Sequence, residues 1–337
     1  MGELSDTIRF PATILERQED IVIASDRVTG TSVRPAWTDL PEQARTSVED
    51  LAGHPVARAD TQTGGFSSGL AVRLTLTDGS RLFLKGIATD HVLYPRYGEE
   101  AAINQALPAT VPVPRLLRSW EAGGWLLMAF RDVDGRHPDT APGAPDTDRA
   151  LALLTALPTT VTPSPITGAP GFVDAVGEEF LGWQILADAG TELDPWATRH
   201  LERLAVTERA WHSDGDGTTL LHADLRPDNV MLSKDGDVAI DWAYLHQGAA
   251  WVDPAMFLPH LIRAGHTPAQ AQAAMATVTA FSQAPAAAIT SFAIALTGYW
   301  ERNSRYPGPP GVPYLRSYQA EMAAIGRRWI QHRTGWT

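Results

Sequence analysis

LHADLRPDNVMLSKDGDVAIDWA, residues 221–243, places five aspartates and one asparagine within 23 positions, several of them interrupting runs of Leu, Val, Ile and Met. Asp closes ordinary turns, and clustered Asp also holds divalent cations and accepts protons. Spacing separates the two uses. VML (230–232) and VAID (238–241) read as antiparallel strands joined by the tight turn Lys234-Asp235-Gly236-Asp237. Asp235 and Asp237 belong to that turn, where Asx chemistry accounts for them, and Lys234 beside them is expected in solvent. At the other end, a hairpin of this length brings Asp241 close to Asn229, with Asp224 five residues upstream across a loop containing Pro227. Three oxygen donors without histidine or cysteine suit a hard cation such as Mg2+.

The pattern His-x-Asp-x4-Asn, followed by a hairpin and Asp, is an arrangement that serves phosphoryl transfer. One Asp orients the accepting hydroxyl, and an Asn/Asp pair holds metal. The lysine count points the same way. Of 27 basic residues only Lys85 and Lys234 are lysine, which leaves 25 arginines. Lys85 closes the apolar strand RLFLK (81–85), and its compact ammonium suits nucleotide phosphates better than a guanidinium fork. Such a lysine needs a carboxylate. Glu99 and Glu100 both stand on the helical segment YGEEAAINQALP, and either can share a face with Ile103. Upstream, TQTGGFSSGL (61–70) offers Gly64, Gly65 and Gly69 for close backbone approach to phosphates, with Ser67 and Ser68 as donors.

Composition bounds the alternatives. The chain has 337 residues, 44% of them apolar, and a formal net charge of −12. No basic run is present to neutralise phosphate backbones, so nucleic acid and membrane surfaces are poor partners. Without cysteine, disulfides, thiolate metal sites and cysteine nucleophiles are excluded. No stretch approaches the 18 or so uninterrupted apolar residues of a membrane span, and a cytoplasmic location is expected.

Along the chain, residues 1–33 form an extension in which DIVIASDRV alternates weakly like a strand. A helix is expected over about 39–52, started by Thr38 or Asp39 with Glu42 as a capping pair. Strands follow at 70–76 and 81–87 around the Asp-Gly turn TDGS, then the helix that ends at Pro108, then two strands around Gly123-Gly124. The Pro-, Gly- and Asp-rich segment 132–146 marks a boundary. Beyond it, helices are expected over 147–157, 172–190, 195–212, 254–264, 268–283, 285–302 and 314–332. The order predicts an α+β protein with a β-rich N-terminal lobe (34–131), an α-helical C-terminal lobe (132–337) and a ligand cleft between them.

GGFSSG, Lys85, Glu100, HADLRPDN and IDWA, in that order, resemble the aminoglycoside phosphotransferase and choline-kinase-like family, from about Arg34 to the C-terminus. The HADLRPDN…ID segment is the specific part of the match, and the glycine loop is not. The resemblance implies a two-lobed protein-kinase-like fold and a small-molecule kinase using ATP or GTP with Mg2+. Asp224 would be the catalytic aspartate, Asn229 and Asp241 the metal ligands, and Lys85 the contact to the α/β-phosphates. It favours Glu100 over Glu99 as the lysine's partner. It also implies that Gly64, Gly65, Phe66, Ser67, Ser68 and Gly69 cover the phosphates, and that LLMAFRDV, with Met128, Phe130 and Asp132, holds the adenine or guanine through its backbone. By the same analogy the acceptor is a small hydroxylated molecule, an antibiotic first (resistance or self-protection), with an amino alcohol or sugar of primary metabolism as its rival. A monomer or homodimer would suffice. A nucleotide-binding module without transfer is the reading from another class.

There are departures. Ala223 stands where the family usually has glycine, with little effect expected, and Trp242-Ala243 follows Asp241 where protein kinases have Phe-Gly. No Ala-Pro-Glu or long activation segment follows, which argues against protein substrates. Among lesser residues, His222 is expected to support the loop, and Arg226 to neutralise the γ-phosphate or pair with a neighbouring acid. Asp253 is expected to cap a helix starting at Pro254, and Trp242, Trp251 and Trp300 to be packed. Glu178, Glu179 and Glu301 could greet a cationic acceptor or form a solvated face.

Overall fold

Alternation in LAVRLTL and RLFLKGI builds the sheet that positions Lys85. The computed structural model describes residues 32–337, so the strand expected in DIVIASDRV lies outside the described residues. Its first part contains α1 (Glu42–Ala52), the strands β1 (Val56–Thr61), β2 (Leu70–Leu76), β3 (Arg81–Ala88), β4 (Leu116–Ala122) and β5 (Trp125–Arg131), and α2 (Tyr94–Ala106) between β3 and β4. The five strands are antiparallel in the order β1-β2-β3-β5-β4. Because successive side chains alternate faces, Leu70, Val72, Leu74, Leu82, Leu84, Leu127 and Ala129 pack with Ala44 and Val48 of α1 on one face. Ile87, Leu126, Met128 and Phe130 pack with Tyr97 and Ala101 of α2 on the other. Lys85, one step from Leu84, falls on the α2 side, opposite Met128 in the ladder. Each fully buried Leu or Val in these layers contributes about 1.5–3 kcal/mol.

The remainder is helical around small strand pairs: β6 (Gly135–Arg136), α3 (Asp146–Thr160), α4 (Phe172–Val176), α5 (Gly182–Asp188), α6 (Pro195–Thr207), α7 (His212–Gly215) and β7 (Thr219–Leu221). The hairpin β8 (Val230–Ser233) and β9 (Val238–Ala239) follows, then β10 (His246–Gly248), α8 (Val252–Arg263), α9 (Pro268–Met275), α10 (Thr279–Ser282), α11 (Ala286–Asn303) and α12 (Leu315–Thr334). The α+β architecture expected from the sequence, sheet first and helices second, is the one observed. Buried helix α11 is its spine. A Cβ on Gly182 would come 2.0 Å from the carbonyl oxygen of Gly298, so α5 and α11 cross in backbone contact that only glycine permits.

Several boundaries differ from expectation, for identifiable reasons. The helix expected over 172–190 is broken because Phe180 and Leu181 turn into the core. Glu208 then accepts hydrogen bonds from the backbone N–H groups of Trp183 (3.0 Å) and Gln184 (2.8 Å), restarting the chain as α5. The segment 268–283 breaks where buried Val278 separates α9 from α10. Helix α1 starts after Pro41 with no side-chain cap, while Asp39 accepts from the Ala36 N–H (2.7 Å) in a preceding 3-10 turn. Strands β1, β7 and β10 carry no alternation signal and owe their state to pairing with distant partners, as β10 does with β7.

Candidate active site

The hairpin geometry follows the spacing. Val230 pairs with Ala239 and Met231 with Val238, and the Ile240 N–H donates to the Asn229 carbonyl at 2.9 Å. Asn229 and Asp241 therefore share one end of the hairpin. The Asn229 side-chain amide donates to the Asp224 carbonyl (2.8 Å) and reaches its carboxylate (3.3 Å). With its NH2 group so used, Asn229 presents its amide oxygen as a remaining acceptor. Exposed Lys234 stays in the turn, where Asp237 accepts from Arg149 and the Ser233 N–H.

Across the cleft, Lys85 Nζ lies 2.5 Å from Glu100 Oε1 and 2.6 Å from Asp241 Oδ1, and 5.6 Å from the centre of the Tyr97 ring. Glu100 is buried and Glu99 exposed, which answers the question that helical periodicity left open. Burial works against the Lys85 charge, yet Asp241 and Glu100 outweigh it and hold the ammonium above its ordinary range. Burial would also raise Asp241, but Lys85 pulls it down to about 2. For Glu100 burial prevails, pushing the carboxyl up to about 7 against the pull of Lys85.

The loop before the hairpin is braced from below. Asp253, within α8, accepts from the backbone N–H groups of His222 (2.8 Å) and Ala223 (2.9 Å). This replaces the helix-capping role expected from WVDPA. His222 is fully buried and donates through Nε2 to the Ile240 carbonyl at 2.8 Å, tying the loop to the hairpin. Ala223 has φ +59° and Asp241 φ +67°, left-handed values that non-glycine residues rarely adopt. Ala223 keeps a small side chain at a position whose left-handed φ glycine adopts without strain. Arg226 Nε lies 3.5 Å from Asp224 and 3.2 Å from Asp228. Its guanidinium stands over the rings of Phe66 (5.1 Å) and Tyr318 (5.9 Å), themselves 4.7 Å apart. Burial raises the Asp224 carboxyl while Arg226 opposes it.

The glycine loop is held on both sides. Arg34 donates to the carbonyls of Gly64 (2.8 Å) and Gly69 (2.8 Å) and to Ser67 Oγ (3.1 Å), and the Ser32 hydroxyl donates to the Gly65 carbonyl. Tyr97 Oη lies 3.4 Å from Ser67 Oγ, and a Cβ on Gly69 would stand 2.1 Å from that phenol oxygen. Ser68 meets the C-terminal segment at Gly311. Met128 and Phe130 are buried in the sheet. The Asp132 carboxylate is taken up by Arg73 (2.6 Å) and Arg81 (3.1 Å), which leaves only its backbone for a ligand. Trp242, Trp251 and Trp300 are all buried, and Glu301 is paired with Arg305 and Arg327. Arg34, Tyr97 and Tyr318 were missed in the sequence, where nothing local marks them.

A sequence profile of the phosphotransferase enzyme family matches residues 63–288, from the glycine loop to the start of α11. The chain belongs to that family. This phosphotransferase shares its fold with small-molecule kinases. Spectinomycin phosphotransferase APH(9)-Ia, solved with ADP and spectinomycin, is 12% identical over 85% of this chain and 98% of its own, with a TM-score of 0.56. Amicoumacin kinase hAmiN, in complex with AMP-PNP, Ca2+ and Ami, is 13% identical over 86% and 93%, with a TM-score of 0.54. Choline kinase from Cryptosporidium parvum Iowa II is 12% identical over 82% and 88%, with a TM-score of 0.52. No curated protein matches the sequence. Among the described residues, no helix is long and apolar enough to cross a membrane.

Proposed function

We propose that this phosphotransferase is a Mg2+-dependent O-phosphotransferase that moves the γ-phosphoryl group of ATP or GTP to a hydroxyl of a small molecule. One observation carries the reading. Asp224, Asn229 and Asp241 gather their oxygens at one end of the hairpin, and Lys85 is ion-paired to Asp241 from the opposite lobe. Among the described residues no three His, Asp or Glu side chains group to hold a metal. Asn229 and Asp241 would hold the cation. When bound, the metal would offset the negative charge of the nucleotide phosphates.

The protein's own groups do the rest. Lys85, fixed by Glu100, contacts the α/β-phosphates, and the N–H groups of the loop over Gly64–Gly69 cover them. The base is held by backbone groups of the segment around Met128, Phe130 and Asp132. Asp224 orients the acceptor hydroxyl. Its oxygen attacks the γ-phosphorus, the bond to the nucleoside diphosphate oxygen breaks, and the proton passes to Asp224. Burial that raises the Asp224 carboxyl supports this role as base. Arg226 serves charge neutralisation beside it.

An antibiotic, phosphorylated for resistance or self-protection, is the leading acceptor. Support comes from spectinomycin and amicoumacin in the names of two neighbours, while choline kinase favours an amino alcohol. The test is nucleotide turnover with purified protein and a panel of hydroxylated acceptors. Turnover should require Mg2+ and fall by about 10²–10⁴ in Asp224→Asn with nucleotide binding retained. Nucleotide binding without turnover, whatever the acceptor, would instead make the chain a binding module.

A further inference from the structure

Phe66, in the glycine loop, belongs neither to the two apolar layers of the sheet nor to the core of the helical lobe. Its partners lie across the cleft. The ring is 4.7 Å from that of Tyr318 on α12, and the Arg226 guanidinium stands 5.1 Å from it. We infer that Tyr318 is a positioning residue for the nucleotide: acting through Phe66, it latches the glycine loop shut and sets how long the nucleotide stays. The inference rests on the phosphotransfer reading and adds to it a release step governed from the opposite lobe.

The loop is held at its root and at its tip by different lobes. Arg34 holds the root within the sheet lobe, through the carbonyls of Gly64 and Gly69 at 2.8 Å each. The tip has two seats on the helical lobe. One is the ring pair, with Arg226 also 5.9 Å from Tyr318. The other is Gly311, whose carbonyl accepts from the Val33 N–H at 2.8 Å. A Cβ on Gly311 would stand 2.8 Å from Ser68 Cβ, and its φ is +77°, so glycine is what lets this segment meet the loop. Both seats come from one stretch of chain, residues 311–318.

The strength of the hold suits a lid. An aromatic pair adds modestly to the burial of its rings, and a guanidinium over the same rings adds a little more. Phe66 and Tyr318 both stay partly exposed, so the loop is biased towards closure without being fused to α12. A nucleotide lying under the loop leaves only when Phe66 lifts off its seat. That movement also uncovers Arg226, whose side chain is 8% exposed and 3.5 Å from the Asp224 carboxylate, so the loop and the proposed base are assembled together.

Stopped-flow displacement of mant-ADP by excess ADP, with Mg2+ present, measures the hold. Phe66→Ala and Tyr318→Ala should each speed release by about three- to tenfold, the rate equivalent of losing an aromatic pair. The double variant should release no faster than the faster single one, because all three lose the same contact. Tyr318→Phe keeps the ring and should keep the wild-type rate. Thermal melts check the fold of each variant. Because the chain has no cysteine, Phe66→Cys combined with Tyr318→Cys can be joined by a short bismaleimide. Cross-linked with mant-ADP bound, the protein should retain it, and this arm holds even if Tyr318→Ala fails to fold. Wild-type release from Tyr318→Ala, single effects that multiply in the double variant, or unhindered release after cross-linking would each overturn the latch and leave phosphotransfer standing. A wild-type protein that binds no mant-ADP would remove the nucleotide reading, and the latch with it.

Discussion

Lys85 bridges two carboxylates from different parts of the fold, Glu100 on α2 at 2.5 Å and Asp241 after the β8–β9 hairpin at 2.6 Å. One ammonium thus ties the sheet to the helical lobe and fixes the site where phosphates are proposed to lie. Glu100 is buried and Lys85 only 12% exposed, so removing one leaves an uncompensated partner, at a cost of about 3–5 kcal/mol. Lys85→Met should lower chemical-denaturation stability by that order and abolish turnover. Lys85→Met combined with Glu100→Gln should recover part of the stability and none of the turnover. Equal recovery of both would make the lysine purely structural.

Ala223 occupies left-handed backbone, φ +59°, and Asp253 holds its N–H and that of His222 in place. An L-residue there costs roughly 1–2 kcal/mol, and glycine avoids the strain while giving back about 0.4–1 kcal/mol in unfolded-chain entropy. Ala223→Gly should therefore stabilise the protein by up to about 1 kcal/mol and leave turnover near the wild-type level. A lowered melting temperature would show that the strain is absorbed elsewhere.

These cases mark what the sequence could carry. The hairpin was legible because its turn is local and its register short, so Asn229 and Asp241 had to meet. Lys85 was legible because lysine is so scarce, and strands β2 and β3 because alternation dictates their faces. Arg34, Asp253 and Tyr318 were not, since each acts on a partner at least 30 residues away and no periodicity encodes it. The choice between Glu99 and Glu100 depended on how α2 is rotated against the sheet, which is a packing outcome. The break at residues 177–181 likewise depends on Glu208, which local propensity cannot see.

Glu208 supplies a pH signature. It is fully buried, and burial pushes its carboxyl up to about 7 against the backbone N–H groups of Gln184 and Trp183. The folded-state value lies above the ordinary 4.5. The folded protein therefore holds the proton where the unfolded chain releases it, and this contribution is complete below about 4.5 and lost as pH rises through about 7. The whole change amounts to about 3 kcal/mol. Glu208→Gln cannot ionise and keeps one oxygen, enough for one of the two N–H groups that the carboxylate accepts through separate oxygens. Urea unfolding at pH 5 and pH 7.5 should show the variant gaining on the wild type as pH rises. Parallel pH dependence in the two proteins would dismiss Glu208 as the source.

Arg34 should control nucleotide affinity without touching nucleotide. It draws the Gly64 and Gly69 carbonyls to one side of the loop, and Ser32 draws that of Gly65 the same way. In a trans peptide the N–H points opposite to its C=O, so the Phe66 amide faces away from the hydroxyl of Ser32 that holds the Gly65 carbonyl. Loosening this hold makes the loop pay ordering entropy on binding. Charge-assisted bonds of this kind contribute about 1.5–3 kcal/mol, so Arg34→Ala should raise the nucleotide KM by about tenfold or more. Acceptor KM should change little, and Arg34→Lys, lacking the fork that reaches three acceptors, should recover only part. If kcat falls while nucleotide KM holds, Arg34 acts on the chemical step instead of on the loop.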